Sequence, residues 1–65
     1  MFNIRKISFT LHHANGTKQE IVKVVLGDND EVAWVARQYA DVNNCGVLAT
    51  YEGKTITTVG SIQST

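Results

Sequence analysis

The sequence predicts an α+β fold of order ββαββ, a four-stranded antiparallel sheet with one helix packed on one face. Three observations carry this: an Asn15-Gly16 pair between two alternating apolar runs, a helical stretch over residues 28–43, and a second strand pair about Glu52-Gly53. No linker, repeat, low-complexity tract or proline interrupts the chain, so residues 1–65 read as one small domain. A chain of 65 residues buries only about 60% of the surface its unfolded form exposes, so its core must be thin.

The first hairpin follows from Asn15-Gly16, the preferred pair for a two-residue turn in which both central residues take positive φ. That loop pairs Leu11 with Glu20, Phe9 with Val22 and Ile7 with Val24. One face then carries Ile7, Phe9, Leu11, Val22, Val24 and Leu26, and the other Ser8, Thr10, His12, Gln19, Ile21, Lys23 and Val25. Phe2 and Ile4 have the opposite parity to Ile7, which predicts a bulge or bend near Arg5 and Lys6.

Gly27 ends the second strand, and Asp28 with Glu31 three residues on has the form of a capping box. Val32, Val35, Ala36, Tyr39 and Val42 supply an apolar arc, with Ala33 and Ala40 allowing a close approach to the sheet. Asn43, Asn44 and Gly46 are residues at which helices end. The second hairpin spans 47–51 and 54–62 about Glu52-Gly53, with Val47, Ala49, Tyr51, Ile56 and Ile62 on one face and Gly60 at a bulge. A right-handed crossover through the helix places the third strand beside the first, giving the order 2-1-3-4.

Composition narrows the function classes. Formal net charge is zero, unlike the basic excess of dedicated phosphate-backbone binders. The charges are unevenly placed: residues 1–26 hold Arg5, Lys6, Lys18 and Lys23 against Glu20, while residues 27–46 hold Asp28, Asp30, Glu31 and Asp41 against Arg37. The single Cys45 excludes an internal disulfide, and no apolar run suits a secretory leader or a membrane span, so a cytoplasmic setting is expected.

No motif for catalysis, metal or nucleotide binding emerges. His12 and His13 are adjacent on a strand and point to opposite faces, so they cannot grip one ion. Asp28-Asn29-Asp30 lacks the glycine and distant glutamate of a calcium loop. Cys45 at a helix C-terminus meets the negative end of the dipole, which opposes thiolate formation. The expectation is a non-enzymatic chain with no cofactor and no metal.

What remains is surface. At about 100° per residue, Trp34 lies opposite the apolar arc of its helix, with Arg37, Gln38 and Asp41 around it. Exposed Trp and Arg are the residues in which binding hot spots are enriched. The leading expectation is a protein-binding module, a small regulator or inhibitor of the phage or mobile-element kind, with Trp34, Arg37, Gln38 and Asp41 at the contact. An alternative is a nucleic-acid-binding regulator using Arg5, Lys6, Lys18 and Lys23, although the open sheet face read here has no aromatic residue to stack bases. A homodimer through that open face would use Ile21, Val25, Leu48 and Val59. The run 55–65 has neither charge nor proline, which would leave an edge strand unguarded against strand addition.

Overall fold

A computed structural model describes residues 4–60. Its elements are β1 (Ile4–His12), β2 (Lys18–Leu26), α1 (Asn29–Asn43), β3 (Gly46–Tyr51) and β4 (Lys54–Val59). The four strands form one sheet in the order β2-β1-β3-β4, every neighbouring pair antiparallel. This is the expected ββαββ arrangement with the helix packed on the sheet, chiefly over β3 and β4. Phe2, Ile62 and the last five residues of the uncharged C-terminal run, 61–65, lie outside the described residues. β4, where that run begins, is an edge strand.

The core is one layer thick. Ile7, Phe9 and Leu11 of β1, Val25 of β2, and Val47 and Ala49 of β3 meet Val32, Ala36 and Ala40 of α1. The alanines let the helix approach closely, and the rings of Phe9 and Tyr39 meet at 5.2 Å between centroids, tilted by 51°. Both helix ends are closed. Asp28 Oδ1 accepts from the Asp30 and Glu31 amides at 3.1 and 3.3 Å. Asn44 takes a left-handed conformation, with φ 52°, and the Ala40 carbonyl accepts from the Cys45 amide at 3.2 Å.

The first hairpin departs from expectation. Its loop has three residues, 14–16, rather than two. The Gly16 amide donates to the His13 carbonyl at 3.0 Å, and the His13 amide to the Thr17 carbonyl at 2.9 Å. Gly16 at φ 91° occupies the left-handed position that closes such a loop, while Asn15 stays out of that region. Asn15 Oδ1 instead accepts from the Thr17 amide and hydroxyl at 3.0 and 2.6 Å. The register shifts by one residue, so Ile7 pairs with Lys23, Phe9 with Ile21 and Leu11 with Gln19.

A one-residue shift turns every β2 side chain over. Ile21 and Val25 point to the helix side, and Val22, Val24 and Leu26 point away from it. The pairing runs unbroken from Ile4 to His12, so the bulge expected near Arg5 and Lys6 is absent. Ile4 simply faces outward.

The second hairpin does turn on Glu52-Gly53, both at positive φ, with Tyr51 opposite Lys54. Its bulge falls at Ile56, where the register passes from Thr50 opposite Thr55 to Ala49 opposite Thr57, and not at Gly60, which lies past the end of β4. That extra residue brings Val59 to the helix side opposite Val47. Of the four residues expected on a dimer face, Ile21, Val25 and Val59 therefore pack toward the core, and Leu48 alone lies on the open face. Val42, expected in the apolar arc, is 81% exposed. It sits only about 80° around the helix from Trp34, beyond the rim of the buried stripe.

Candidate functional site

The helix presents the expected aromatic. Trp34 is 60% exposed, nearly two turns beyond the Asp28 cap. Helical spacing sets Arg37, Gln38 and Asp41 on the same outer face, all exposed. Val42 adjoins them, so the face carries two large apolar side chains among polar ones. Sequence reasoning missed Val42 because periodicity marks a stripe but not where its rim falls.

An open cleft of about 350 Å³ lies beside the indole, lined by Asp28, Asp30, Glu31 and Trp34. Its lining joins the only tryptophan to three acidic residues, one of them the helix cap, a composition suited to cationic side chains and poor for anions. Because α1 is capped at both ends and buries Val32, Ala36 and Ala40, this face is held on a rigid element.

The four basic residues of the alternative interface do not come together. Arg5 turns inward, where Nη1 donates to Asn29 Oδ1 at 2.9 Å and Nη2 to the Gly27 carbonyl at 3.0 Å. Its guanidinium stands 5.7 Å from the centroid of the Tyr51 ring. Lys23 lies on the helix side of β2, while Lys6 and Lys18 lie on the other face of the sheet.

His12 lies on the open face opposite Lys18 and Gly46, and its Nε2 is enclosed without a hydrogen-bond partner. Among the described residues, no three His, Cys, Asp or Glu side chains gather as a metal site would require. Cys45 is half-buried, and burial pushes its thiol pKa up, which favours the neutral, unreactive form. The cause found is desolvation, where the sequence had pointed to the helix dipole. Among the described residues, no helix is long and apolar enough to cross a membrane.

The face opposite the helix holds a second surface. Val22, Val24 and Leu26 of β2 are each at least 50% exposed, and Ile4, opposite Leu26, is 70% exposed. No signal in the residues alone could find this patch, because its orientation depends on the loop length. Comparison of the chain with protein-family models, with curated proteins and with solved structures finds no match.

Proposed function

We propose that this chain is a non-enzymatic protein-binding module that works by occupying a surface of a partner protein through the outer face of α1. Trp34 is the anchor, Val42 extends the apolar contact, and Arg37, Gln38 and Asp41 form the polar rim. The observation that supports it is the exposure of Trp34 on a doubly capped helix whose packing needs no aromatic there. The acidic cleft beside the indole favours a partner with Lys or Arg at that position. A small cytoplasmic regulator or inhibitor, of the sort phages and mobile elements encode, acts in this manner by blocking.

The experiment is a nuclease-treated pull-down from source or host lysate with the wild type, Trp34→Ala and the double variant Lys18→Glu/Lys23→Glu. The expected result is one stoichiometric protein that is lost with Trp34→Ala and kept by the lysine variant. Retained nucleic acid that depends on the lysines when nuclease is omitted, with no Trp34-dependent protein, would overturn the reading in favour of a nucleic-acid-binding regulator.

A further inference from the structure

We propose that the sheet face opposite α1 is the contact surface for a second copy of this chain, centred on Ile4, Val22, Val24 and Leu26. The four side chains form one patch: Ile4 stands opposite Leu26, and Val22 and Val24 precede Leu26 on the same face of β2. Their exposed parts together amount to about 400 Å², within the size range where patches on soluble chains tend to be functional.

The hairpin register makes the exposure notable. The opposite parity of β2 would bury Val22, Val24 and Leu26 and expose Gln19, Lys23 and only two aliphatic residues, Ile21 and Val25. The loop over residues 14–16 nevertheless turns the more apolar set outward. Such a conflict between pattern and register is expected where a surface has a use.

Area points to a second copy. With strands about 4.8 Å apart and about 3.4 Å per residue, the open face covers on the order of 500 Å². Two copies face to face would bury on the order of 1,000 Å², the lower bound of a specific interface. They would stack two sheets into a sandwich and give the one-layer core a second layer. The chain carries no net charge to oppose self-association. The face also mixes Lys6 and Lys18 with Glu20, so it is no single-sign field selecting a charged partner. This contact leaves Trp34 on the outside and is independent of its role.

Sedimentation equilibrium of the full chain, from micromolar to millimolar concentration, tests the proposal. The wild type should move from the 7.2 kDa of one chain to twice that mass. Val24→Glu should stay at the single-chain mass with the wild-type circular dichroism spectrum, and Trp34→Ala should behave as wild type. Should Val24→Glu fail to fold, Val24→Cys in a Cys45→Ser background replaces it. It should oxidise to a covalent dimer, while Lys54→Cys in the same background, on the helix side, should not. A wild type that remains single at every concentration overturns the proposal. So does equal cross-linking at both cysteine positions.

Discussion

Arg5 joins three parts of the chain that lie far apart in sequence. It donates to the Gly27 carbonyl and to Asn29 at the start of α1, and lies near the ring of Tyr51 beside the second turn. Charge-assisted bonds of this kind are worth about 1.5–3 kcal/mol each at most, so Arg5→Ala should lower the unfolding free energy by about 2 kcal/mol in urea titration. Arg5→Lys should recover little, since an ammonium cannot present a fork. From sequence, Arg5 reads as one more surface cation; its acceptors are 22 and 24 positions away, and only the closed fold brings them together. Cys45 has a consequence of its own. Its thiol pKa is raised in the fold, so the native state holds the proton more tightly than the unfolded chain does. Its contribution to stability is complete below the ordinary thiol pKa and is lost as pH rises through the raised value. Denaturant midpoints measured against pH should therefore fall on the alkaline side, and Cys45→Ser should flatten that part of the fall.

At the scale of elements, the two hairpins invert the usual turn preferences. Asn15-Gly16, the pair most suited to a two-residue turn, sits inside a three-residue loop, whereas Glu52-Gly53 closes the two-residue turn. Glu52 is thereby held at φ 51°, a conformation that L-residues other than Asn and Asp seldom take. Glu52→Asn should raise stability by about 0.5–1 kcal/mol in chemical denaturation, with no change in fold. The helix was legible to within a residue because its signals are local: Asp28 at the cap, Asn44 past the end, and a period of 3.6 between. The register of β2 was not legible, because Asn15 accepts bonds from Thr17 in a conformation that residue identity alone does not distinguish from its alternative.

On the scale of the whole molecule, element order and strand order followed from five segments and the right-handed crossover rule. The outward face of α1 followed from helical spacing. What the sequence could not show was which set of β2 side chains faces out, since alternation fixes two sets without assigning them to sides. The resulting molecule is a thin plate, 14 Å in its smallest extent, with Trp34 on one side and an aliphatic patch on the other. If two such plates associate through the aliphatic side, stability depends on concentration as well as on sequence. The thermal midpoint should then rise with protein concentration, and Val24→Glu should remove that dependence.

The loop over residues 14–16 leaves the first hairpin with a rival arrangement close at hand. Were Asn15-Gly16 to adopt its preferred two-residue turn, Ala14 would stand opposite Thr17, and β2 would roll over and exchange its inner and outer residues. Deleting Ala14 closes that route. The same Asn-Gly turn would then bring His13 opposite Thr17, continuing the present pairing of His12 with Lys18. The shortened chain would keep today's outward patch with local turn preference and strand pairing in agreement, whereas the natural chain holds them in competition.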